Sequence, residues 1–189
     1  MAHIAVPPEI VPENVGIVMI AEALPENQED YFYSSSDSLY VTNTLEAFNS
    51  AGIEAKNIGD VIKRGVYLTV AVKAVRQGLV VPSEVIREHS FALDAELNLF
   101  LNVKAILLMG DAAIKSLNFI SQRVCGAKTI PSGSTYKIRS GAYYFRNIRV
   151  FPSYLQTGKN FLIEKTKRRM VAEDIRNAFK LLEHPEHQP

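Results

Sequence analysis

Three short, nearly continuous apolar runs, each followed by a segment of helical periodicity, constrain this chain more than any other feature. Residues 16–21 read Gly-Ile-Val-Met-Ile-Ala, residues 65–72 Gly-Val-Tyr-Leu-Thr-Val-Ala-Val, and residues 103–109 Val-Lys-Ala-Ile-Leu-Leu-Met. A strand without polar alternation needs cover on both faces, and that cover is what helices on either side of a parallel sheet supply. The intervening segments fit. Leu45, Phe48 and Ala51 fall three apart over 42–51, closed by Gly52. Ser83 is placed to cap a helix with apolar positions at Val85, Ile86, Phe91, Leu93, Leu97 and Phe100.

Residues 112–120 read as the helix after the third run. Residues 143–151 give one or two further strands with a turn at Arg146-Asn147, and 161–182 a last helix whose Leu162, Met170, Val171, Ile175, Phe179 and Leu182 share a face. The expected fold class is therefore α/β: three layers, α/β/α, around a central mostly parallel sheet. It occupies 1–189 as a single domain, with 1–14 an irregular lead-in and 183–189 a tail.

The 189 residues suffice for a substantial core. Net charge is +1, so the total is silent about a polyanionic partner and only the distribution of charge can speak to one. A single cysteine, Cys125, excludes an internal disulfide framework and a cysteine metal cluster within one chain. His3, His184 and His187 lie in loose termini, so no metal is expected. The apolar runs are too short to span a bilayer, and residues 1–16 carry three prolines and two acids where a secretory signal needs an apolar stretch. A cytoplasmic monomer without membrane contact is the expectation.

In open parallel sheets, ligands sit beyond the carboxyl ends of the strands. Three segments fall there. Residues 21–33 carry Glu22 and Glu26, then Tyr31-Phe32-Tyr33: a carboxylate can orient water and a ring can stack on a planar ligand. An acidic surface loop with core aromatics explains the same residues. Residues 151–160 hold Ser153, Tyr154, Thr157, Lys159 and Asn160, side chains of the kinds that contact phosphate, and Leu155, an apolar residue suited to a wedge in a base stack. A polar connection with Thr157 or Asn160 as helix cap is the alternative. Gly110-Asp111 lacks the spacing of a dinucleotide or triphosphate loop. Beyond these, the basic cluster Lys165, Lys167, Arg168 and Arg169 is most simply a solvated helix face.

In their order, these segments resemble the uracil-DNA glycosylase superfamily, nearest the branch whose members usually carry an iron–sulfur cluster. The motifs are Ala21-Glu22-Ala23-Leu24-Pro25, Val66-Tyr67-Leu68-Thr69-Val70-Ala71-Val72-Lys73, Leu107-Leu108-Met109-Gly110-Asp111-Ala112-Ala113 and Phe151-Pro152-Ser153-Tyr154-Leu155. The resemblance implies a DNA-repair hydrolase that flips a damaged base and cleaves its N-glycosidic bond with water and no diffusible cofactor. It implies catalysis by Glu22 or Glu26. It also implies a base pocket at Ala23, Phe32, Tyr33, Val70 and Phe151, and contact with damaged or single-stranded DNA through Pro152, Ser153, Tyr154 and Leu155, to which the loop's own residue types add Lys159 and Asn160.

The departures narrow that expectation. Val70 stands where the family places an asparagine that reads uracil, and Phe151 where a histidine stabilises the departing base; neither side chain hydrogen-bonds. Ala74 and His89-Ser90 stand where cluster cysteines belong, so no cluster is expected. Leu24 adds a residue to the first motif. Altered or lost uracil specificity follows, with two alternatives: a non-catalytic nucleic-acid-binding module of the same fold, or an enzyme acting on a free nucleotide or nucleoside.

Overall fold

The first apolar run becomes the middle of a five-stranded sheet. In the computed structural model, which describes residues 7, 9–34, 37–75, 78 and 80–183, the run forms β1 (Ile17–Leu24). The chain continues through α1 (Leu39–Ser50), α2 (Ile58–Lys63), β2 (Val66–Val75), α3 (Ser83–Leu97) and β3 (Ala105–Met109). Then come α4 (Asp111–Cys125), α5 (Thr135–Ile138), β4 (Tyr143–Phe145), β5 (Ile148–Ser153) and α6 (Lys165–Glu183). The sheet order is β2-β1-β3-β5-β4; all pairings are parallel except β4 with β5. Residues 1–6 and 184–189, with His3, His184 and His187, lie outside the described residues.

Side chains of β1 alternate between two cores. Ile17, Met19 and Ala21 join Leu107, Met109, Phe48 and Ile175 under α1 and α6, while Val18 and Ile20 join Ile106, Leu108, Leu93 and Leu117 under α3 and α4. Both faces are buried, as the unbroken apolar runs require. The result is the expected three-layer α/β/α arrangement around a mostly parallel sheet.

Element ends follow local chemistry that periodicity alone misses. Ser38 caps α1 by accepting from Val41 N at 3.1 Å, so the helix starts three residues before the apolar pattern suggests. Ser83 is not a cap: it is the first helical residue, preceded by Pro82, and no side chain bonds the α3 amino terminus. The last helix begins at Lys165, because residues 161–163 form turns that bury Phe161. Arg146 and Asn147, at φ 51° and 64°, make the two-residue connection of an antiparallel hairpin. The short helices α2 and α5 are below the length at which periodicity registers.

One buried element is ionic. Lys73 Nζ lies 2.5 Å from Glu96 Oε2 and donates to Thr69 Oγ1 at 2.6 Å, while the hydroxyls of Thr69 (2.8 Å) and Tyr67 donate to Glu96 Oε1. Burial lowers the Lys73 pKa against the opposing pull of Glu96, and burial with the nearby carboxylate raises that of Tyr67. The network joins β2 to α3 across the sheet surface. Breaking such a pair from one side leaves an uncompensated buried charge, so Glu96→Ala is expected to cost about 3–5 kcal/mol. The double replacement Lys73→Met with Glu96→Leu is expected to cost less than that single change, as read by urea denaturation midpoints.

Candidate active site

β1 lies between β2 and β3, so the chain leaves it in opposite directions and a crevice opens beyond the ends of β1 and β3. Both walls of this crevice come from the sequence motifs. At the end of β3, Gly110 takes φ 105°. The backbone there requires glycine, and a Cβ would come within 2.7 Å of Glu22 Oε1 and push that side chain aside. The gap lets the Glu22 side chain reach the start of α4, where its Oε1 accepts from Ala112 N at 3.2 Å. A helix amino terminus favours an anion in that place.

Around Glu22 lies a cleft of about 420 Å³, within the usual range for small-ligand sites. Ala23, Glu26 and Asp30 share one wall with it; Leu155, Thr157, Gly158 and Lys159 form the facing wall, and Tyr40 of α1 stands between. The Tyr40 hydroxyl donates to Ala23 O at 2.9 Å, and Asn43 Nδ2 donates to Gly158 O at 3.1 Å, so α1 ties both walls together. β2 approaches from beneath through the pairing of Val72 with Ala23, and Gly78 beyond it reaches the rim. On the other side of the 155–159 loop a second cleft of about 340 Å³ is bordered by Asp111, Tyr154, Asn160 and Lys167. Leu155 and Lys159 border both clefts and form the ridge between them.

The sequence-derived residues thus divide. Glu22, Ala23, Glu26, Leu155 and Lys159 meet at one cleft, and Tyr154 and Asn160 border its neighbour. Val70 does not line either cleft: it is 0% exposed, faces the α1/α6 core and pairs with Ala21. Phe32 (1%) and Phe151 (6%) lie in the same core, the latter beneath the Arg149 guanidinium at 4.5 Å. The Tyr33 hydroxyl is engaged with the backbone of Leu68, donating to its carbonyl and accepting from its N–H, each at 2.9 Å. Pro152 and Ser153 are buried, and the Ser153 hydroxyl donates to Asp174 Oδ2 at 2.6 Å instead of facing solvent. Tyr40 is the ring the sequence reading missed; it lies in the first turn of α1, and a cap at Ser38 was the signal for it.

No cradle for a cluster or metal stands here. Cys125 is exposed at the far end of α4, His89 Nδ1 accepts from Lys73 N at 3.3 Å, and no group of three candidate ligands converges among the described residues. Asp174 carries the one strongly displaced carboxyl of this region: burial raises its pKa to about 6, against the lowering pull of the Ser153 hydroxyl and of Arg139 at 2.7 Å. No protein-family model and no curated protein matches the chain. Fold and site together define an open α/β domain with an acid-walled cleft at its strand-order reversal.

Two outcomes are expected. Val70→Asn buries an amide in an apolar layer and costs about 2–4 kcal/mol without improving affinity for uracil-containing DNA, as measured by denaturation and fluorescence anisotropy. Because the folded pKa of Asp174 lies above the unfolded value of 3.8, its contribution is greatest below that value and is lost as pH rises through about 6. Stability of the parent chain should fall between these limits relative to Asp174→Asn, followed by thermal midpoints across pH.

Proposed function

We propose that the chain is a glycosylase-like hydrolase that cleaves the N-glycosidic bond of a damaged base in DNA and is not specific for uracil. The observation that carries this reading is the meeting of the Glu22 strand end and the Leu155 loop across one cleft. Glu22, fixed at the start of α4, orients a water toward C1′ of the sugar. The water oxygen bonds to C1′ as the C1′–N bond breaks; the electron pair of that bond leaves with the base and neutralises the positive charge that a ring-alkylated base carries, so the leaving group needs no proton. The proton lost by water passes through the Glu22 carboxylate to solvent. Tyr40 offers the ring nearest the extruded base, and Leu155 the apolar ridge that fills the vacated stack.

The acid wall also bears on the substrate. Glu22, Glu26 and Asp30 favour a sugar that develops positive charge and oppose a base that leaves as an anion. Val70 and Phe151 lie in the core, so neither position that the resemblance assigns to reading uracil faces the cleft; among the described residues Lys159 is the one cation of its lining, against Glu22, Glu26 and Asp30. The reading therefore favours a base that leaves neutral, such as one alkylated on a ring nitrogen.

A second reading rests on the bond between Glu22 and Ala112: a carboxylate engaged in the fold suits a binding module without chemistry. Single-lesion oligonucleotides scored for abasic sites separate the two. Glu22→Gln keeps an oxygen for the Ala112 amide and should lower excision at least about 100-fold, with DNA affinity and thermal midpoint nearly unchanged. Full activity in that variant removes Glu22 from the mechanism, and no abasic product from any lesion leaves the binding module.

A further inference from the structure

Outside the cleft, cations gather at the start of α6. α6 opens with Lys165, Lys167, Arg168 and Arg169 within five residues, and no acidic residue occupies its first turn. Cations at a helix amino terminus oppose the backbone dipole; Glu164, just before α6, pairs with Lys167 at 2.8 Å and leaves the other three cations of the first turns working against the dipole. Sequences that break a local rule in this way tend to do so for function.

Geometry turns the cations into a site. Arg168 Nη1 lies 3.6 Å from Glu46, and Arg176 Nε donates to Ala51 O at 3.2 Å, so α6 runs beside the second half of α1 in the same direction. Between the helices is an open groove of about 610 Å³ bordered by Ser50, Lys165, Arg168, Arg169, Glu173 and Arg176. Its carboxylate is already engaged, because Glu173 binds Arg139 at 2.9 Å. Lys165 and Arg169 have no ion pair among the described residues. Four cations thus border the groove, against Glu173, which is committed to Arg139, and Glu46, which among the described residues pairs with Arg168 alone. No large apolar side chain borders the groove, as insertion into a lipid surface would require.

We infer that this α1/α6 groove binds the phosphodiester backbone of a nucleic acid, at a site separate from the cleft. Arginine forks match phosphate oxygens in pairs. From Lys165 to Arg176 the helix rises about 16 Å, enough to follow several phosphates at roughly 3.4 Å of axis each. Tyr40 and Ser50 stand at opposite ends of α1, about 15 Å apart, so one strand can engage the groove while the cleft holds a different part of the ligand. The choice of nucleic acid among polyanions rests on the reading of the cleft; the groove as an anion track does not.

The test measures binding of the full chain to a fluorescent 20-nucleotide strand and its duplex from 50 to 200 mM salt. Lys165→Glu with Arg169→Glu is compared with the ridge variant Leu155→Ala with Lys159→Glu. The groove variant is expected to bind at least tenfold more weakly, with the slope of log affinity against log salt shallower by about two. Its thermal midpoint should hold or rise, since carboxylates suit the start of a helix. Loss in both variants upholds the groove and the ridge together; loss in the groove variant alone upholds the groove and removes the Leu155–Lys159 ridge from the binding path. Loss in the ridge variant alone does the reverse. Unchanged binding in both, or none in the parent chain, overturns both; binding of the parent chain to phosphatidylserine vesicles but not to DNA overturns the nucleic-acid assignment.

Discussion

The contact between the Glu22 carboxylate and the first turn of α4 holds the carboxyl edge of this sheet together. It needs a strand that carries Glu22 near its carboxyl end, a neighbouring strand in register with it, and a residue without a side chain at Gly110. β1 and β3 meet the register condition, pairing from Ile17 with Ala105 to Ile20 with Leu108. The carboxylate then completes an amide at a helix start that would otherwise face the crevice. The position of the cleft, its acid wall and the approach of Tyr40 all follow from that arrangement.

The sheet was legible because its strands are buried on both faces and so announce themselves as unbroken apolar runs. Helix starts were less legible. Periodicity finds the buried stripe but not the cap, and Ser38, Pro82 and the turn around Phe161 each moved a boundary. The cleft was legible in part. The order of motifs brought Glu22 and Leu155 together correctly, because topology alone sends both strand ends to one edge. The order of motifs does not tell that Val70 and Phe151 point into the core, because a one-residue difference in register exchanges the two faces of a strand; Phe32 lies in the turn after Asp30, where periodicity gives no face.

A net charge of +1 conceals a division of labour. Three carboxylates gather at the strand ends, while the first turns of α6 gather cations beside α1. The Ser153–Asp174–Arg139 chain lies between these regions, linking the end of β5 to the middle of α6. It fixes the helix that carries the basic groove to the strand that leads into the ridge. Displacement of either would be felt by the other, through a buried carboxyl rather than through solvent.

Tyr33 has a consequence beyond its failure to reach the cleft. Among the described residues β2 is an outside strand of the sheet, and no described strand pairs with the polar backbone groups of Leu68 on that side. A single phenol oxygen occupies both, accepting from one and donating to the other. It does the work of a sixth strand at that point and denies the position to any other extended chain. An unguarded rim of this length invites intermolecular strand addition, so removing one hydroxyl from Tyr33 would expose the protein to aggregation.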